Sequence, residues 1–462
     1  MQHATLKHSL ADDLAAIQAI AARHVANPAE LAQNLAEIAA HISAIDFARY
    51  DPADVRKDAH GLLLGMFDLR IMLHDEIATW HRHKFMTREV QAGLRNVFRL
   101  TRYASDMLGE IAILHRRLGE GEKTHRGFTG PDFNTLGHPA LGSGLHEPFQ
   151  SGDVLLMRGM AANSAAIARI GDIDSQFSHV GIVYVDARGR HLITEALIEE
   201  GSIINRLEDT LDHGLGRCIV FRHSDPALAA RAGKMIHDYI QATLTSGIGR
   251  PLAYDFSMEL KGYKRLFCSK LVRQAFDMAS DGQVMLPTHK TSLFMKNRDF
   301  FKRIGVTATE TFAPGDMELE PGFRIVAEWA DYRVTSDLRL ADLTMDKFFE
   351  WMDRHHDRFQ ETWAIHLVSV LGRFAALLSN DAKNLIADVI PTVPAHMSRR
   401  TIATIAMLHS TTETVVTELK ELERRSKELT GRPLHPREIS AHLETIRQRE
   451  RGTVGYLRAP TA

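Results

Sequence analysis

The apolar residues of this 462-residue chain change their spacing near residues 125 and 340, and those changes limit what it can fold into. Up to residue 125 the spacing is helical. Ser9 with Asp12 forms a capping-box pattern ahead of Leu14, Ile17 and Ala21. Asn27-Pro28 and Asp51-Pro52 each put a capping side chain before a proline at the first helical position. Leu31, Leu35, Ile38 and Ile42 follow the first, and Leu62, Met66, Leu69 and Leu73 the second. Thr87 opens the longest run, with Val90, Leu94, Val97, Ala104, Leu108 and Ile111 on one face. Four amphipathic helices with short links predict an antiparallel bundle over 1–125.

Gly, Pro, His and Asn then punctuate 126–147, which reads as a linker or long surface loop. Short runs rich in Val, Ile and Leu predict strands at Asp153–Met157, His179–Asp186, His191–Ala196 and Arg217–Arg222. Helical patterns at Pro226–Leu244 and Ser269–Ala279 are interleaved with them. Residues 148–305 are therefore expected to form an α+β unit with a small antiparallel sheet. After a connecting segment, 306–340, helical spacing returns over 341–462, at Asp346–Phe359, Trp363–Ser379 and Ser398–Leu429, with Pro391 and Pro394 as breaks. The charged tail past Gly431 is expected to end in one more exposed helix.

Composition excludes several classes. With 44% hydrophobic and 25% charged residues the chain is globular, and 56 basic against 58 acidic side chains leave no broad footprint for nucleic acid. The start lacks the charged-then-apolar pattern of a secretory signal. The most apolar helical stretch, Ala364–Leu378, contains His366 and Arg373 and is too short to span a bilayer. A soluble protein made in the cytoplasm is expected, with export only by a route that reads no N-terminal signal. Gly119–Thr124 lacks the glycine before the lysine of a phosphate loop, His74 and His81 are too far apart for H-E-x-x-H, and no G-x-S-x-G occurs. The pairs His81/His83 and His355/His356 read as solvated helix surface. No metal and no cofactor is expected. The only cysteines, Cys218 and Cys268, exclude a disulfide scaffold and a thiolate-rich zinc site, and a bridge between them is not expected. Cys218, in an alternating strand, reads as packing.

Cys268 has a different address. Leu271, Val272, Ala275 and Phe276 after it share one helical face, which puts Cys268 at or near a helix N-terminus. Unpaired N–H groups there stabilise a thiolate, and Lys270 and Arg273 bring positive charge nearby. His179 begins a strand, and the turn Asp186–Arg190 leads to the strand that carries Glu195. In an antiparallel pair with an even register sum, His179 and Glu195 share a face, directly opposed or one diagonal apart. Glu195 would then hold one ring nitrogen and leave the other facing the thiol. An odd register would separate them.

The order Gly152-Asp-Val-Leu-Leu, Ser178-His179-Val-Gly-Ile-Val, Glu195-Ala196, Tyr254-Asp255-Phe and Phe267-Cys268-Ser-Lys-Leu-Val272 resembles the YiiX/YaeF-like permuted papain-fold cysteine hydrolases. These are relatives of the NlpC-type amidases and of the lecithin:retinol acyltransferase group. The resemblance covers roughly 148–305. It implies a permuted papain-like central domain flanked by helical regions, with Cys268 as nucleophile, His179 as general base and Glu195 orienting the histidine. By the same resemblance Tyr254, Asp255, Asp153, Ser178 and Ser269 belong to the pocket, with Tyr254 at the oxyanion. Lys270 departs from the family, many of whose members have a carboxylate two residues after the cysteine. The implied activity is hydrolysis of amide bonds in peptide or peptidoglycan-like material through an acyl-enzyme. The alternatives are a lipid-directed acyl hydrolase or acyltransferase, for example a delivered antibacterial toxin, and an inactive binding module. The helical regions are candidate surfaces for a protein partner.

Overall fold

The computed structural model describes residues 9–114, 123–124, 128–130, 132–141, 149–212, 214–246, 249–293, 298–362, 365 and 397–460. The first region contains α1 (Leu10–Ala21), α2 (Pro28–Ala44), α3 (Pro52–Asp75), α4 (Ile77–Arg82) and α5 (Arg88–Ile113). The sequence signals work as caps: Ser9, Asn27, Asp51 and Thr87 each accept a hydrogen bond from a backbone N–H of the first turn. The six-residue α4 is too short to show a period and was not anticipated. Leu35, Ile38, Leu63, Met66, Phe67, Val90 and Leu94 are fully buried between the helices.

The central element is a seven-stranded antiparallel sheet. Its strands are β1 (Thr135–Gly137), β2 (Val154–Gly159), β3 (His179–Val185), β4 (His191–Leu197), β5 (Gly201–Arg206), β6 (Leu215–His223) and β7 (Phe323–Ala330). They lie in the order β1-β7-β6-β2-β3-β4-β5. Both faces are covered. Leu155, Met157, Val183, Cys218, Val220 and Trp329 pack on one side, and Val154, Leu156, Val180, Ile182, Ile219 and Phe221 on the other. This is the alternation that a period of two imposes. The short helices α6 (Ala162–Ile167) and α7 (Leu207–Asp212) sit in the connections, and α8 (Pro226–Thr245), α9 (Cys268–Ala279) and α10 (Arg298–Ile304) follow. Helix α8 lies close on the sheet at Gly233, where a Cβ would come within 2.5 Å of the Val183 carbonyl oxygen.

Two strands come from segments expected to be irregular. Residues 126–147, read as a linker, supply the edge strand β1, whose three residues are too few to show alternation. The expected connector 306–340 supplies β7, which lies between β1 and β6. Glu328 hides this strand from a hydrophobicity reading, because it is buried as the partner of Arg70 at 3.0 Å and of Arg102 at 3.3 Å. Strand β5 was also missed.

The C-terminal region contains α11 (Thr335–Arg354), α12 (Arg399–Thr430) and α13 (Pro436–Arg449). Helix α11 starts eleven residues before the expected Asp346, because its first turns bury polar groups such as Arg339 rather than an apolar stripe. Helix α13 is not simply exposed: Ile439, Leu443 and Ile446 are buried. The helix expected over Trp363–Ser379 lies outside the described residues. Buried ion pairs join the three regions. Arg217 of β6 holds Asp106 of α5 at 2.6 Å, while Glu110 of α5 binds Arg339 of α11 at 2.6 Å and Lys427 of α12 at 3.0 Å. Leaving one such group without its partner costs about 3–5 kcal/mol, so these contacts fix which helix meets which strand. Both cysteines are free, and Cys218 is fully buried in the sheet core. Among the described residues no helix is long and apolar enough to cross a membrane.

Candidate active site

Cys268 is the first residue of α9, with Phe267 as an extended N-cap whose side chain cannot satisfy the leading N–H groups. Buried Leu271, Val272, Ala275 and Phe276 anchor this helix in the core, so its N-terminus is fixed. A parallel bridge between Tyr254 and Leu266 holds the approach to it. Cys268 as a whole is 3% exposed.

His179 opens β3 opposite Met157 of β2, and the preceding Ser178 N–H donates to the Met157 carbonyl. Gly181 pairs with Glu195, which places His179 and Glu195 one diagonal apart on a common face. The even register holds. His179 Nε2 lies 2.8 Å from Glu195 Oε2. The other carboxylate oxygen, Oε1, accepts from Asn205 Nδ2 at 3.0 Å and from Thr210 Oγ1 at 2.9 Å. His179 is also close enough to Cys268 for the two to shift each other's ionisation. With Nε2 engaged by Glu195, Nδ1 is the nitrogen left for the sulfur.

The charges of the three groups support one another. Burial by itself would lower the pKa of His179, but hydrogen bonds to Cys268 and Glu195 and the negative charges on both outweigh it, so the imidazole pKa is raised. Burial likewise opposes ionisation of Cys268. The His179 hydrogen bond and charge, the Val180 N–H and the Ser269 hydroxyl more than offset it and lower the thiol pKa. Glu195 is buried too, yet its hydrogen bonds to His179, Thr210 and Asn205 hold its carboxyl below the usual value. The arrangement favours a thiolate and an imidazolium backed by a carboxylate.

The other expected pocket residues divide. Tyr254 is buried and close enough to Cys268 for the charge of the sulfur to act on its hydroxyl, and Ser269 Oγ lies 3.8 Å from the sulfur. Asp255 belongs elsewhere: its Oδ2 accepts from Lys270 Nζ at 2.8 Å and its Oδ1 from Ser257. Lys270 also donates to the Lys261 carbonyl, so its charge is spent on an internal pair and not on the thiol. Arg273 likewise turns away, to the Leu286 carbonyl. Asp153 is bound by Arg222 at 2.7 and 2.8 Å, four residues along β2 from the partner of His179, or about 13 Å of strand. Ser178 Oγ accepts from the Gly159 N–H. Asp153, Asp255 and Ser178, expected in the pocket, are thus held in other interactions.

Asn205 and Thr210 were missed. Asn205 stands one diagonal from Glu195 across the β4–β5 ladder, so the parity argument that joined His179 to Glu195 would have found it had β5 been recognised. Thr210, in the short α7, carries no sequence signal. Glu199, on the turn between β4 and β5, is close enough for its charge to act on His179 and Tyr254. Among the described residues no group of three or more His, Cys, Asp or Glu is placed to hold a metal ion.

Residues 148–318 match the family described as permuted papain-like amidase enzyme, YaeF/YiiX, C92 family. No curated protein and no solved structure matches the chain. The matched stretch contains Cys268, His179 and Glu195, together with strands β2 to β6. Over this stretch the chain is similar to the permuted papain-like amidases, which supports the fold of its middle region and, in general terms, a thiol hydrolase acting on amide bonds.

Proposed function

We propose that Cys268, His179 and Glu195 form a Cys–His–Glu triad that cleaves amide bonds through an acyl-enzyme. The observation that carries this reading is His179 held by Glu195 on one side and close to Cys268, at the N-terminus of α9, on the other. The Cys268 thiolate attacks the carbonyl carbon, and the C=O electron pair moves to oxygen. N–H groups in the first turn of α9 and the Tyr254 hydroxyl would hold that oxyanion, and one such donor is commonly worth about 10²–10³ in rate. The tetrahedral intermediate collapses and expels the amine, which takes a proton from His179. Water then attacks the thioester as His179 accepts its proton, and the acid departs to regenerate the thiolate. Glu195 keeps its negative charge throughout and fixes the ring.

The test is turnover by the full chain and by Cys268→Ala on a peptide or muropeptide panel and on phospholipid vesicles. Amine release by the wild type, lost in the variant, supports the reading. Release of fatty acid alone would replace it with a lipid acyl hydrolase, and equal behaviour of the two proteins would leave a binding module.

A further inference from the structure

Residues 168–178, between α6 and β3, contain no regular helix or strand, yet they deliver His179 to the thiol. One face of α5 tracks this segment. Arg88 pairs with Asp172, and Arg95 Nη1 donates to the Ile173 carbonyl at 3.4 Å. Arg99 Nη1 lies 3.6 Å from Asp174 Oδ2, and the Arg102 guanidinium sits 4.9 Å from the centroid of the Phe177 ring. At 100° per residue these four arginines fall on a single side of the helix. Their partners run in the same order along the chain. From Arg88 to Arg102 the helix advances about 21 Å, and the five steps from Asp172 to Phe177 reach at most about 17 Å, so one straight helix face can hold the whole segment.

We infer that this arginine face of α5 holds 172–177 in the conformation that aims His179 at Cys268. Arg88, Arg95, Arg99 and Arg102 are then positioning residues for the thiol chemistry proposed above, on which the inference rests, and the N-terminal helical region is a working part of the hydrolase. Arg95 is locked in turn by the buried Asp316, which also accepts from Thr291, and Arg102 by Glu318 at 2.6 Å. The contacts at the outer end are more open, with Arg88 44% and Asp172 16% exposed, so substitutions there disturb the segment without opening the core.

The test uses the full chain and needs no substrate. Alkylation of Cys268 by iodoacetamide is followed across pH by peptide mass spectrometry in wild type, Arg88→Asp, Asp172→Arg and the double exchange, with thermal unfolding recorded for each. Misplacing His179 raises the thiol pKa, and at a pH below both values one unit is about tenfold in thiolate. Each single reversal is expected to slow alkylation on the rising limb of the profile by about tenfold, and the double exchange to restore it. A role in stability alone would lower the unfolding temperature and leave the pH profile unmoved. Arg99→Gln, at a pair about a quarter exposed on each side, provides the same reading should a reversal not fold. Folded variants with the wild-type profile would overturn the inference and leave the triad standing. A wild-type profile resembling that of an ordinary thiol would instead remove the triad itself.

Discussion

His179 Nε2 and Glu195 Oε2 stand 2.8 Å apart across a diagonal of the β3–β4 ladder, because Gly181 is the residue that directly faces Glu195. The carboxylate is held from its other side by Asn205 and Thr210, so ring and carboxylate are both fixed before any substrate arrives. Glu195→Gln keeps the shape and removes the charge. It is expected to lower turnover by about a hundredfold or more and to raise the thiol pKa. Asn205→Ala with Thr210→Val is expected to shift the same profile in the same direction by a smaller amount. Equal activity for Glu195→Gln and wild type would show that the carboxylate does not act through the histidine.

Lys270 and Asp255 make a buried pair next to the thiol but separate from it. Lys270→Met leaves the Asp255 carboxylate without its cation and is expected to destabilise the fold by about 3–5 kcal/mol. Adding Asp255→Asn is expected to recover part of that loss. Denaturant titration measures both, while the alkylation profile of Cys268 stays in place. A displaced profile in a folded Lys270→Met protein would place the lysine charge at the thiol after all.

His74 of α3 is buried against Phe221, with ring centroids 5.6 Å apart and neither ring nitrogen hydrogen-bonded. Burial, with the Arg102 charge adding to it, pushes its pKa down to about 3. Between that value and the ordinary one near 6.5 the unfolded chain binds the extra proton, so stability falls as pH drops through this window. His74→Phe removes both the titration and the unpaired nitrogens. It is expected to raise the unfolding temperature, more at pH 5 than at pH 8, as calorimetry would show. A loss of stability at both pH values would mean that the ring nitrogens find partners.

Legibility in the sequence followed chemistry that is local or periodic. The caps at Ser9, Asn27, Asp51 and Thr87 announced the first helices, and the apolar face after Cys268 announced α9, because each signal lies within a few residues of its effect. Parity in an antiparallel pair put His179 and Glu195 on one face for an even register, which the β3–β4 ladder has. What escaped was buried polar chemistry. Glu328 in β7, Arg339 in α11 and the arginine face of α5 look solvated until the partner from a distant part of the chain is known. Asp153 and Asp255 show the converse. The family order located them in the chain, but the cations that hold them, Arg222 and Lys270, decide where their charge is used.

The central claim is that Cys268 is a thiolate because His179 stands beside it. The most direct measurement is the rate of iodoacetamide alkylation at Cys268 between pH 4 and pH 9, residue by residue, in wild type and His179→Ala. An ordinary thiol gains reactivity around pKa about 8.5. The pair described here predicts that the wild type gains reactivity at a lower pH than an ordinary thiol, with a return to the ordinary profile in His179→Ala. Cys218, whose pKa burial pushes upward, is expected to stay unreactive while the protein is folded. A single titration near the ordinary thiol value in both proteins would contradict the account.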